Sequence, residues 1–172
     1  MKQIKESIVK MLKYVDTKVV FAEVPNEISL AISISGCPCH CKGCHSSYLA
    51  EDIGEELTIE TLDKLITKNK GITCVLFMGG DSDPKEIDKL AAYVKGVFSE
   101  LKVAWYSGKD SPDAIVDLEN FDFIKLGPYK EEFGPLNKRT TNQKFYKLFH
   151  TTTGKIKIFD ITYKFWKNET KN

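Results

Sequence analysis

The chain has 172 residues, 42% of them apolar and 28% charged, which suits one domain around one core. Its formal net charge of +1 lacks the basic excess of a nucleic-acid or anionic-membrane binder, so no nucleic acid and no membrane are expected as partners. No apolar run approaches roughly 18 residues, and charges break up the start, MKQIKESIVKMLKY. Neither a spanning helix nor a signal peptide is expected, and the expected compartment is the cytoplasm.

Taken in chain order, Ile4, Ile8, Met11 and Leu12 recur at helical spacing, which predicts an amphipathic helix over 3–14. TKVVFAEVP reads as extended, ended by Pro25. EISLAISISG alternates Ile28, Leu30, Ile32 and Ile34 with small or polar residues, the period of a strand. It runs into a cysteine-rich loop. TIETLDKLITKNKG predicts a helix with Thr58 as N-cap and Gly71 as stop. ITCVLFMGG is a continuous apolar run, the pattern of a strand buried on both faces. Asp83 and Pro84 open the next helix as N-cap and first helical residue. LKVAWYSG predicts a third strand, SPDAIVDLEN a short helix, and FDFIKLGPY a fourth strand. GPLNKRTTNQK is a polar, irregular insertion long enough to be a functional loop. The tail GKIKIFDITYKFW is either one more strand or a helical cap.

This alternation predicts an α/β fold: an open or partial barrel of about four to six mainly parallel strands. A single domain spans 1–172, with a helix and extended segment to residue 26, a core over 27–150 and a C-terminal strand or cap over 151–172. Ligands of such folds bind at the carboxyl ends of the strands. Four unusual loops follow those ends here: the cysteines, then GGD, SG and GPY.

The first loop, SGCPCHCKGCHSS, holds Cys37, Cys39, Cys41 and Cys44 within eight positions. Cys74 is distant, inside an apolar strand, and reads as a small core residue. Three chemistries suit the loop. Structural zinc commonly wants a second, distant knuckle, which is missing. Cys41 and Cys44 have the gap of a thiol-exchange pair, which leaves Cys37 and Cys39 unused. Cys37, Cys41 and Cys44, spaced C-x-x-x-C-x-x-C, match a set of three thiolates on a cubane iron–sulfur cluster with one iron left open. His40 and His45 flank the thiols as neighbours rather than ligands. Tyr48 is expected in the core, with a place over the cluster as its alternative.

The cysteine spacing resembles that of radical S-adenosylmethionine enzymes, and GGD after the second strand is similar to their Gly-Gly-Glu element. The ordered set CKGC, GGD, WYSG, FDFIKLGPY and NKRTTNQ, over roughly residues 28–148, resembles the activating proteins of anaerobic ribonucleoside-triphosphate reductases. Cys39 is extra to that pattern, and GGDSDP carries two residues more before its proline than GGDP. The resemblance implies a radical SAM fold and a 4Fe-4S cluster on Cys37, Cys41 and Cys44. It implies S-adenosylmethionine bound by Gly79, Gly80 and Asp81, with Asp81 accepting from the methionine ammonium. Ser107, Gly108, Asn142 and Gln143 are further cofactor contacts by the same resemblance, each with a plain turn or cap role as alternative. Reductive cleavage of the sulfonium would then place a glycyl radical on the partner reductase, with reduced flavodoxin or a similar protein as electron donor. No catalytic residue beyond cluster and cofactor is implied. Lys138 and Arg139 are candidates for attracting an acidic partner surface. Two other classes stay open: an iron–sulfur electron carrier or binding module, with Cys39 as fourth ligand, and a zinc-stapled interaction domain.

Overall fold

The computed structural model describes residues 11–166. Eight strands form one mixed sheet in the order β3-β1-β2-β4-β5-β6-β7-β8. They are β1 (Lys13–Val20), β2 (Ser29–Ile34), β3 (Glu55–Glu56), β4 (Cys74–Met78), β5 (Lys102–Tyr106), β6 (Phe123–Leu126), β7 (Lys144–His150) and β8 (Ile156–Asp160). Two helices, α1 (Ile59–Lys68) and α2 (Pro84–Val97), connect β3 to β4 and β4 to β5. The central strands β2, β4, β5 and β6 pair in parallel. Antiparallel strands extend the sheet on both sides, β1 and β3 beyond β2, and β7 and β8 beyond β6. No helix among the described residues is long and apolar enough to cross a membrane.

Both faces of the central strands are covered, which explains their apolar runs. Val75 and Phe77 of β4, with Ile32, Ile34, Val103 and Trp105, pack against Leu62 and Ile66 of α1 and Ile87, Leu90, Ala91 and Val94 of α2. The alternate residues Ala31, Cys74, Leu76, Ala104, Phe123 and Phe145 face the other way, under Val24 and Ile161. The period-two pattern of β2 therefore marks two buried faces of different size, with Ser29 and Ala31 as buried as their apolar neighbours. Cys74 is fully buried at the start of β4, as its sequence setting predicts. Burial pushes its thiol up to about 12.

Both caps read from sequence form. Thr58 Oγ1 accepts from the Thr61 N–H at 3.1 Å, and Asp83 Oδ1 from the Glu86 N–H at 3.1 Å. Helix α1 ends at Lys68 with Asn69 as its C-cap, two residues before Gly71.

Two expectations are corrected, and two segments left open are settled. The helix expected over 3–14 lies mostly outside the described residues, and its last two positions, Lys13 and Tyr14, are strand, because they pair with Glu56 and Glu55. The short helix expected in SPDAIVDLEN is only a 3-10 turn over Leu118–Asn120. Side-chain carboxylates take the donors a helix would use: Asp113 accepts from the Ile115 N–H, and Asp88 of α2 accepts from the Asp117 N–H at 3.0 Å. The strand β7 follows the polar loop with no break strong enough to announce it. The tail resolves as both alternatives in turn, strand β8 and then a 3-10 turn over Thr162–Phe165.

Candidate functional site

The parallel strands bring four loops to one edge of the sheet. Residues 35–50 leave β2, Gly79–Asp83 leave β4, Ser107–Lys109 leave β5 and Gly127–Pro128 leave β6. Strand β7 runs antiparallel, so its first residues and the preceding Asn142 and Gln143 lie at that edge too.

The cysteine loop is pinned at its root. Ser35 Oγ donates to the Ile53 carbonyl at 2.6 Å, and the Gly36 and Cys37 N–H groups donate to the carbonyls of Glu51 and Leu49. Between those anchors Cys37, Cys41 and Cys44 line one hollow of about 190 Å³, together with His40, Ser46 and Ala50. All three thiols are partly exposed and thus available to a soft metal. Among the described residues no three Cys, His, Asp or Glu side chains close on a single ion-sized point.

Gly79 and Gly80 carry the β4 chain away from the sheet, with φ of 102° and 89°. A Cβ on Gly80 would lie 2.4 Å from Ile87 Cδ1, and one on Gly79 would lie 2.9 Å from the Ile34 carbonyl oxygen. Both positions need glycine for conformation and for space. The Gly79 carbonyl is held by the Trp105 indole N–H at 2.8 Å. Asp81 follows, 5% exposed. Its Oδ1 accepts from the Ser107 hydroxyl at 2.5 Å and its Oδ2 from the Gly108 N–H at 2.8 Å. The structure thus joins Asp81, Ser107 and Gly108 in one hydrogen-bonded unit. Cys39 Sγ lies 3.9 Å from Asp81 Oδ2, so the unit touches the cysteine loop. Burial, with Cys37 and Asp81 close by, pushes the Cys39 thiol up to about 12.

Asn142 and Gln143 sit one step away. Asn142 Nδ2 donates to the Pro128 carbonyl at 2.9 Å and Gln143 Nε2 to the Gly127 carbonyl at 3.3 Å, fixing the turn after β6. Asn142 Oδ1 is buried with no hydrogen-bond partner, an acceptor left for a ligand. Tyr48 is 48% exposed and so not a core residue, as the turn over Ser47–Ala50 buries Leu49 instead. His45 is exposed. The Arg139 guanidinium stacks over the Trp166 ring at 5.4 Å, and Lys138 packs along Gly134.

Two residues join the site without having been expected. Lys125 stands in β6, its ammonium over the Tyr106 ring at 5.5 Å. Burial pulls its pKa down, against the opposing pull of Asp81 and the thiols of Cys41, Cys44 and Cys39. The sequence signal was a lysine inside the apolar run FIKLG. Glu131 is the other: its carboxyl carbon lies 3.3 Å from where a Gly43 Cβ would be, so it packs on the Cys41–Cys44 turn. No local pattern marks it, because only the fold of the 127–143 loop brings it there. Beside these residues a cleft of about 800 Å³ opens on the face opposite the helices, lined by Phe21, Glu23, Tyr106, Lys125, Leu136 and Gln143 among others. The Tyr106 hydroxyl donates to the Glu23 carbonyl, and burial beside Glu23 holds its pKa well above the ordinary phenol range.

The family model of the 4Fe-4S single cluster domain matches residues 28–149, from the start of β2 to the end of β7. No curated protein and no solved structure matches the chain. Of the chemistries open to the cysteine loop, the match is to the iron–sulfur one.

Proposed function

The chain belongs to the 4Fe-4S single cluster domain family, and from that premise we propose that it is a radical S-adenosylmethionine enzyme that activates a glycyl-radical partner. Cys37, Cys41 and Cys44 hold the cluster in this reading, and the partner is an anaerobic ribonucleoside-triphosphate reductase. The observation that carries it is the meeting of Asp81, Ser107 and Gly108, three expected cofactor contacts from two loops, beside the cysteine loop.

Bound there, the cluster would supply the one electron that reductive cleavage of S-adenosylmethionine needs, the radical chemistry that would lead to a glycyl radical on the partner. The chain's own residues bind and orient. Asp81 is the acceptor for the methionine ammonium, preset by Ser107 and Gly108 so that little reorganisation is needed on binding. Gly79 and Gly80 let backbone approach closely. Lys125 offers a positive charge to an anionic group between the cleft and the thiols. The 800 Å³ cleft is wide enough for a backbone segment of a protein substrate to enter beside the cofactor. Reduced flavodoxin or a similar protein supplies the electron.

The test is anaerobic reconstitution with iron and sulfide, followed by dithionite and S-adenosylmethionine. Four irons per chain and formation of 5′-deoxyadenosine are expected. Cys37→Ala, Cys41→Ala and Cys44→Ala each abolish both. A brown protein that never forms 5′-deoxyadenosine would refute the enzyme and leave an iron–sulfur carrier. Co-expression with the reductase and electron paramagnetic resonance for a glycyl radical tests the partner.

A further inference from the structure

The fourth thiol of the loop has a position of its own. Cys37, Cys41 and Cys44 share a hollow that Cys39 does not line. His40, between Cys39 and Cys41, has a φ of 43°, a left-handed conformation uncommon outside glycine. Cys39 Sγ lies against the Asp81 unit, 3.9 Å from Oδ2, and keeps the Cys37 thiol as its other close neighbour. Gly108 has no left-handed φ, yet a Cβ there would lie 2.6 Å from Cys39 Sγ. Its missing side chain makes room for the thiol. Asp81 already holds three donors: Oδ1 accepts from Ser107, and Oδ2 accepts from Gly108 on one side with Cys39 on the other. A thiol is the weakest of these donors and the only one not fixed by the sheet.

We propose that Cys39 is not a cluster ligand but a placeholder on Asp81, a thiol that occupies the ammonium-binding side of the carboxylate and is displaced when the cofactor's amino group arrives. This rests on the reading of Asp81 as the ammonium acceptor. Cys39 is thus a positioning residue that sets cofactor affinity. It adds a third, weak donor to a buried carboxylate when no cation is present, and yields to a stronger one.

The experiment uses cluster-loaded protein and measures S-adenosylmethionine binding by anaerobic equilibrium dialysis, with iron counted in each sample. Cys39→Ala removes the competitor and should tighten binding about two- to threefold, while Cys39→Ser installs a stronger hydroxyl donor and should weaken it by a similar factor. Iron should stay at four per chain in both. A structural role alone would move both variants in the same direction. A second measurement needs no cofactor: Gly108→Ala should lower the melting temperature in the parent and much less in the Cys39→Ala background, where the 2.6 Å clash is gone. Loss of iron in Cys39→Ala, equal shifts in both variants, or no coupling between positions 39 and 108 would overturn the proposal. Equal affinity in all three proteins overturns the placeholder alone. No binding by any of them overturns the functional reading and the placeholder with it.

Discussion

Replacing Asp81 by alanine separates its two proposed duties, clamping the β5 loop and receiving an ammonium. The carboxylate accepts two short hydrogen bonds, from the Ser107 hydroxyl at 2.5 Å and the Gly108 N–H at 2.8 Å. Bonds to a charged acceptor contribute about 1.5–3 kcal/mol each, and Asp81→Ala leaves the buried Ser107 hydroxyl and the half-buried Gly108 N–H without this partner. Relief of the carboxylate's own burial offsets part of this, for a net loss of about 2–4 kcal/mol. In a chain of this size each kcal/mol lowers the melting temperature by about 2–4 °C, so a fall of roughly 8 °C is expected. Asp81→Asn keeps the shape and one acceptor for the Gly108 N–H, and should lose only about 1 kcal/mol, or ~3 °C. Its cofactor affinity should nonetheless fall about tenfold, because the charge that attracts the ammonium is gone. The assays are thermal unfolding by circular dichroism and anaerobic equilibrium dialysis. Full affinity in Asp81→Asn would refute the ammonium role. An unchanged melting temperature in Asp81→Ala would refute the clamp.

Gly80→Ala should destabilise by about 2–4 kcal/mol in urea titrations, since its φ of 89° strains an L residue and its Cβ would meet Ile87, itself fully buried. The part of that loss due to the clash, though not the part due to φ, should be recovered in combination with Ile87→Ala, measured against Ile87→Ala alone. Asp122→Ala should cost about 2–3 kcal/mol in the same assay, because its carboxylate accepts from the Val103 N–H at 2.8 Å and pairs with Lys95 at 2.9 Å. Asp160 links stability to pH. Burial pushes its carboxyl up, but the Thr162 hydroxyl and N–H, together with Lys144, pull it further down, to a net value below the ordinary one. The unfolded chain then holds that proton more tightly, so the contribution is complete above the ordinary carboxylate pKa of about 3.9 and is lost as pH falls below it. Asp160→Asn should flatten the fall in urea midpoint of the metal-free chain below about pH 4. The slope change is small, because the side chain is 44% exposed.

Strands β2, β4, β5 and β6, helices α1 and α2 and both helix N-caps were legible from residue order. Their signals are local: period, cap chemistry, glycine at strand ends. The candidate site was legible to the same degree, because a C-x-x-x-C-x-x-C loop and a Gly-Gly-Asp turn are short-range patterns. What failed was decided by partners far along the chain. Lys13 and Tyr14 became strand by pairing with Glu56 and Glu55, more than forty positions away, against their helical spacing. SPDAIVDLEN lost its helix to Asp88 on another element.

The sequence by itself determined the chemistry on offer: four thiols in one loop, two glycines and a carboxylate after the next strand, and apolar runs for a parallel core. Only the tertiary structure decided where each thiol sits. Cys37, Cys39, Cys41 and Cys44 are equivalent as letters, and spacing alone sorts three from four by analogy. In space, the open flank of Gly108 admits Cys39 against Asp81 and beside Cys37, while Cys37, Cys41 and Cys44 face one hollow. The physical reason is that direction and burial of a side chain depend on packing between loops from different strands, which no local pattern encodes.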